Sequence, residues 1–216
     1  MKGFGITMNK VIYRDLVKED YGIIKELIGE AFGFNEFIKN KKFLDLVLDS
    51  YMKDCLLDSS FSKVAEKDNK LIGFILGKAE NDENILEEPN KTSNDENENL
   101  DLIMDNEENQ MIIQELLKIK DTYNEIIEGK EDNFQGAIQL FIVSKESRGL
   151  GVGKTLINHL FNYMKSRDVK SIYLYTDTRC NYGFYDSQNF KRINEKEITF
   201  TSLNSKLNVF LYSYDF

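Results

Sequence analysis

The chain has 216 residues, 41% of them hydrophobic, enough for one domain with a sizeable core, and a formal net charge of −9 that opposes unassisted binding to nucleic acid or anionic membranes. It has no run of about 18 apolar residues, and Met1 to Ile6 lack the apolar stretch of a secretion signal, so a cytoplasmic protein with no nucleic-acid or membrane partner is expected. Two distant cysteines, Cys55 and Cys180, without metal-ligand spacing, and a single histidine, His159, argue against a metal centre and against most His-activated nucleophiles.

Lys10 to Arg14 alternate as a first strand, and Ile23, Ile24, Leu27, Ile28 and Ala31 then recur at helical spacing. A second helical stripe runs through Phe43, Leu44, Val47, Leu48, Tyr51, Met52, Cys55 and Leu56. Lys63–Glu66 and Leu71–Leu76 flank the turn-forming Lys67–Lys70 and predict a β-hairpin. From Glu80 the chain becomes acidic and rich in asparagine, with its only proline at Pro89, which predicts an acidic, flexible insertion at about 80–109. An extra helix follows at about 110–128, marked by Ile112, Ile113, Leu116, Ile119, Tyr123, Ile126 and Ile127 and ended by Gly129. Ile138 to Val143 reads as a strand, Val152 to Met164 as a helix and Ser171 to Thr176 as a strand. Together they make a βαβ unit whose strands should be parallel neighbours. A short helix around Asn181 to Ser187 and strands near Lys191–Ile198 and Leu207–Tyr212 complete a mixed α/β sheet with helices on both faces.

The turn that opens the βαβ helix is Arg148-Gly149-Leu150-Gly151-Val152-Gly153-Lys154. Three glycines leave its N–H groups unobstructed. The helix starting there adds the positive end of its dipole, and Arg148 and Lys154 add full charges, so the segment suits an anion, above all a phosphate. Three ligand readings compete with a turn that serves only close packing. A Walker-type phosphate loop needs a glycine where Arg148 stands. A dinucleotide fingerprint needs two residues between its second and third glycines, but Val152 alone separates Gly151 from Gly153.

The third reading rests on a resemblance. Val143 to Leu156, with Arg148, Gly151 and Gly153 at the defining positions, resembles the cofactor motif Gln/Arg-x-x-Gly-x-Gly/Ala of the GNAT (Gcn5-related N-acetyltransferase) superfamily. Asn181 to Phe190 resembles that family's second segment, with Asn189 in place of the customary glycine, a substitution asparagine tolerates in a left-handed turn. The β-α-α-β-β order before the insertion matches the family's N-terminal half, so the resemblance covers the chain outside the insertion.

It implies a single acetyltransferase domain over 1–216, a splayed sheet, acetyl-CoA as co-substrate and no metal. It also implies that Arg148, Gly149, Leu150, Gly151, Val152, Gly153 and Lys154 hold the pyrophosphate, that Phe141, Ile142 and Val143 offer backbone groups to the pantetheine and thioester, and that Asn181 contacts the cofactor. Asn181 and Tyr185, four apart, would share one helix face, with Tyr185 as the acid that protonates the departing thiolate.

For the base that takes the amine's proton, Glu146, Asp177 and a water chain remain open. A covalent route through Cys180 is disfavoured, because only Arg179 stands near to lower its pKa. The expected reaction is acetyl transfer to a primary amine of a small molecule or peptide, cationic by the acidic balance of the chain, by a monomer or homodimer. The rivals are an inactive CoA-binding module and a nucleotide hydrolase.

Overall fold

The computed structural model describes residues 10–86, 106–147, 149–201 and 204–216. In chain order they form β1 (Ile12–Arg14), a 3-10 turn (Lys18–Asp20), α1 (Tyr21–Ala31), α2 (Phe34–Phe37), α3 (Lys41–Leu57), β2 (Phe61–Lys67), β3 (Lys70–Ala79), α4 (Glu107–Ile127), β4 (Gly136–Val143), α5 (Val152–Ser166), β5 (Ser171–Asp177), α6 (Gly183–Ser187), β6 (Lys191–Phe200) and β7 (Ser205–Asp215). The strands make one seven-stranded sheet in the order β1-β2-β3-β4-β5-β7-β6. The β4–β5 contact is parallel and the other neighbours are antiparallel, because a helix bridges β4 to β5 while the β2–β3 connection is a tight turn. That turn has Asp68 and Asn69 at φ 53° and 59°, the left-handed pair a two-residue hairpin needs.

Helices cover both faces. The apolar stripe of α5, Leu156, Ile157, Leu160 and Met164, buries against Ile75, Ile138, Ile172 and Leu174. On the other face α1 and α3 place Ile24, Ile28, Phe43, Met52 and Leu56 on Phe74, Leu140 and Ile142. Each such side chain contributes about 1.5–3 kcal/mol of hydrophobic stabilisation before the entropy of ordering it is counted. α4 lies on the same face farther along the sheet, with Ile126 and Ile127 against Ile198, Val209 and Leu211. Asn40 caps α3 by accepting from the Lys42 and Phe43 N–H groups, and Asn106 caps α4 by accepting from Asn109 N–H. Arg14 on β1 holds both oxygens of the buried Asp20 at 2.7 and 2.8 Å and also reaches Glu66 of β2, which fixes the start of α1 to the sheet edge.

The acidic segment differs at its ends from the solvated stretch expected at about 80–109. Glu80 N–H donates to the Gln135 carbonyl, Asp82 accepts from the Tyr163 hydroxyl and Arg167 Nε at 2.7 and 2.6 Å, and Ile85 N–H donates to Ser59. A carboxylate with two good donors stays put, whatever its neighbours' composition. Residues 87–105, including Pro89, lie outside the described residues.

The sheet is splayed between β4 and β5. Pairing is confined to Gly136↔Ile172 and Ala137↔Tyr173, and beyond them the strands diverge. At the narrow end a Cβ on Gly136 would meet the Lys78 carbonyl at 2.6 Å and Ile172 at 3.3 Å, so glycine lets the strands close there. The register against β3 slips between Leu76↔Leu140 and Gly77↔Ile138, leaving Gln139 as an extra residue in β4. A bulge of this kind bends its strand, and this one sits where β4 departs from β5.

Candidate functional site

The wedge between β4 and β5 exposes main chain. Ser144 N–H donates to Ile72 of the β3 side at 2.8 Å. Successive residues of an extended strand point their N–H and C=O groups to opposite edges, so Val143 and Phe141 direct theirs away from β3, into the opening, whereas those of Ile142 face β3. Among the described residues β5 does not pair with them.

At the mouth of the wedge stands the glycine turn. Gly149 and Gly151 have φ 81° and 71°, and a Cβ on either would meet nothing within 4 Å. Glycine is required there by backbone conformation, and the space in front is open. Gly151 caps α5 without any side-chain bond, and Thr155 N–H is the first to turn back, onto the Gly151 carbonyl. Among the described residues the N–H groups of Val152, Gly153 and Lys154 have no acceptor at the positive end of this 15-residue helix, and the Lys154 side chain is exposed beside them. Leu150 is 47% exposed on the same turn. Gly153 has a different reason to be small, since its Cβ would come within 3.3 Å of the Phe184 ring and 3.6 Å of Phe141. Arg148 lies outside the described residues.

Tyr185 on α6 is 8% exposed, ringed by Phe184, Phe190 and Tyr212 at 5.6–5.9 Å and by Phe141 at 6.5 Å. Among the described residues its hydroxyl has no hydrogen-bond partner. Burial, then the nearby Cys180 and Asp177, push its pKa upward, so the phenol holds its proton at neutral pH. Asn181 departs from the expectation that it would share a helix face with Tyr185. α6 begins at Gly183, and Asn181 is exposed in the preceding turn, its carbonyl accepting from Phe184 N–H. The five-residue helix is too short to include it, and its side-chain oxygen lies 4.0 Å from where a Cβ on Gly183 would stand. Burial, with Asp177 close by, pushes the Cys180 thiol up to about 11, which leaves it without the thiolate a covalent route needs. His159 meets the Tyr13 ring at 5.4 Å in a tilted arrangement, on the β1 side of α5.

On the α4 side of the sheet, at the end of β5, lies a pocket. Phe32, Phe34 and Phe37 from the α1–α2 region and Tyr51 of α3 form one wall, Ile112, Leu116, Ile119 and Tyr123 of α4 another, and Phe200 and Leu207 of β6 and β7 a third. The cavity between them measures about 90 Å³. Asp177, the last residue of β5, is 6% exposed and lines this pocket. Strand alternation places it on the side of Tyr173 and Tyr175, the second of which stacks on Tyr123 at 4.2 Å. Its carboxylate accepts from Arg179 N–H at 2.7 Å. Glu146, by contrast, is exposed in the turn after β4. The aromatic spacing at 32, 34 and 37 was the one available sequence signal for the pocket, and it reads equally as core.

A glycine turn at a helix N-terminus, a slot whose main-chain groups β5 does not pair among the described residues and a buried phenol beside it suit a long ligand with a phosphorylated head and a thin polar tail. Such an arrangement in a splayed, mostly antiparallel sheet defines an acetyltransferase fold. The model of the acetyltransferase (GNAT) family matches residues 23–190, and the chain belongs to that family. No curated protein matches it in sequence.

Solved structures share the fold at low identity. The smu.2055 protein of Streptococcus mutans UA159 is 13% identical over 94% of this chain and 98% of its own, with a TM-score of 0.54. The ribosomal-protein-S18-alanine N-acetyltransferase of Escherichia coli is 8% identical over 95% and 94%, with a TM-score of 0.52. The PaiA N-acetyltransferase of Thermoplasma acidophilum, solved in complex with coenzyme A, is 14% identical over 96% and 99%, with a TM-score of 0.51. Among the described residues no helix is long and apolar enough to cross a membrane, and no group of His, Cys, Asp and Glu could hold a metal ion.

Proposed function

We propose that the chain transfers an acetyl group from acetyl-CoA to a primary amine, by direct attack in a ternary complex. The observation that carries this reading is the wedge itself, with the free Phe141 and Val143 main chain on one side, Tyr185 beside it and the open glycine turn at its mouth. The fit of the turn to a pyrophosphate is supported by the open space before Gly149 and Gly151 and by the N–H groups of Val152, Gly153 and Lys154, which have no acceptor among the described residues. Arg148 adds a charge from the same segment by family analogy, and Asn181 contacts the cofactor in the turn before α6.

Acetyl-CoA supplies an electrophilic thioester carbonyl. Val143 N–H donates to the carbonyl oxygen as negative charge develops there. The new N–C bond forms as the C–S bond breaks. Tyr185 gives its proton to the departing sulfur and regains one from solvent. The amine must shed its own proton, and Asp177 takes it, directly or through one water; its position in the pocket lining supports this role over Glu146, which is exposed outside it.

Thermal unfolding tests the binding half. Acetyl-CoA should raise the melting temperature and ATP with magnesium should not, because only a ligand selective for the native state stabilises it. Release of free thiol from acetyl-CoA in the presence of an amine panel tests the transfer half. A melting shift with no thiol release by any amine would leave a CoA-binding module in place of an enzyme.

A further inference from the structure

The pocket at the end of β5 carries little charge. Among the described residues, three ionisable side chains other than tyrosines line it, Asp177, Glu115 and Arg179. Glu115 is held by Lys118 at 2.6 Å. Arg179 is exposed at the rim, where its guanidinium reaches the Phe32 carbonyl at 3.4 Å. Asp177 is different. It is buried, and among the described residues no ion pair engages its carboxylate. Its charge is felt by three phenols: burial first, and then Asp177 among the nearby groups, raise the pKa of Tyr51, Tyr123 and Tyr185. The carboxylate lines the ring-lined pocket at the end of β5.

A buried carboxylate without a cation is costly, and the partner that offsets the cost is a positive charge brought by a ligand. The surrounding rings suit an ammonium, which is attracted to aromatic faces, and they suit an apolar body behind it. They suit a second charge poorly. A polyamine or aminoglycoside would have to bury a further ammonium among Phe34, Phe37, Ile112 and Leu116, where the remaining carboxylate, Glu115, already has Lys118.

Resting on the acetyltransferase reading above, we infer that the acceptor is a small primary monoamine on an apolar, ring-sized body, its ammonium received by Asp177 and its body held by the rings of Phe34, Phe37, Tyr51 and Tyr123. This narrows the cationic acceptor suggested by overall charge to one with a single buried charge. Walls from α1–α2, α3, α4 and the β6–β7 hairpin surround the space, which favours a compact molecule over a peptide chain that must enter and leave.

The test is calorimetric titration of the full chain, saturated with CoA, with 2-phenylethylamine and with spermidine. The monoamine should bind at least about tenfold more tightly. Asp177→Asn keeps the acceptor atom for Arg179 N–H but removes the charge, and should weaken 2-phenylethylamine by about tenfold or more while the acetyl-CoA melting shift persists. Phe37→Ala, at a half-buried wall position, should weaken it several-fold and serves if the Asp177 variant does not fold.

Spermidine binding as tightly as the monoamine, an Asp177→Asn variant within about twofold of wild type, or no monoamine binding at about 10 mM in protein that still responds to acetyl-CoA would each overturn the inference. So would a short peptide with amino-terminal phenylalanine binding more than about tenfold more tightly than the free amine. Loss of the acetyl-CoA response in the wild type would instead remove the acetyltransferase reading itself.

Discussion

The two sides of the wedge are built by different means. The cofactor side is made of main chain: N–H groups at the start of α5, free groups of Phe141 and Val143, and glycines that keep the approach clear, nearly all from the continuous stretch 141–185. The pocket side is made of side chains from five separated places, around Phe34, Tyr51, Leu116, Asp177 and Leu207. Main-chain chemistry demands particular residue types at fixed local spacing, because only glycine leaves an amide bare in a left-handed turn. A side-chain pocket demands only rings and aliphatic groups of suitable volume, which any core also uses. One half of the site can therefore vary freely while the other holds its pattern, which suits a single reaction run on many acceptors.

The largest expected effect belongs to Tyr185→Phe, which removes one hydroxyl and keeps the ring. kcat should fall by about 10² to 10⁴, the usual worth of a general acid, with acetyl-CoA binding nearly unchanged. A kcat within about threefold of wild type, when chemistry limits turnover, would make Tyr185 a packing residue and move the whole burden to main chain.

Next in size is the anchor that holds the pocket wall. Arg14 binding holds the Asp20 carboxyl below the ordinary carboxylate range, against the opposing effect of burial. A depressed folded pKa stabilises the fold above the unfolded value and loses that contribution as pH falls through the folded one, so the loss begins below about pH 4. Asp20→Asn should cost about 2 kcal/mol at neutral pH and flatten the acid limb of the stability curve. Because Asp20 fixes the start of α1, the variant should raise KM for the amine more than it disturbs acetyl-CoA binding. An equal disturbance of both would mean the two sides are not separable.

The smallest effect is a matched pair of glycines. Gly129 and Gly151 share φ near 70°, with open space before each. Alanine at either should cost about 1–2 kcal/mol of stability through the same strain. Only Gly151→Ala should also reduce the melting shift given by acetyl-CoA, since only there does the open space front the helix N-terminus. A shift preserved in Gly151→Ala would remove the pyrophosphate from this turn.

Local pattern carried much of the fold. The helix over α3, the hairpin of β2 and β3 and the βαβ unit through α5 were legible because periodicity, turn residues and caps all act within a few residues of one another. α2 was missed, since Phe34–Phe37 is a single turn with too few residues for a period to register. The hold on Asp82 was missed because its partners, Tyr163 and Arg167, lie about eighty residues away in sequence, and acidic composition is silent about distant donors.

By itself the sequence carried the glycine-rich turn before α5, where residue types at close spacing suit an anion, and the family resemblance that singles out Tyr185. The tertiary structure decided the wedge, through a bulge at Gln139 and a glycine at 136, neither of which departs from an ordinary strand pattern when read alone. It also decided that Asp177, one of several exposed-looking acids in the sequence, ends buried beside a ring-lined pocket and without an ion pair among the described residues. Burial is a property of what packs around a residue, and those neighbours come from the whole length of the chain.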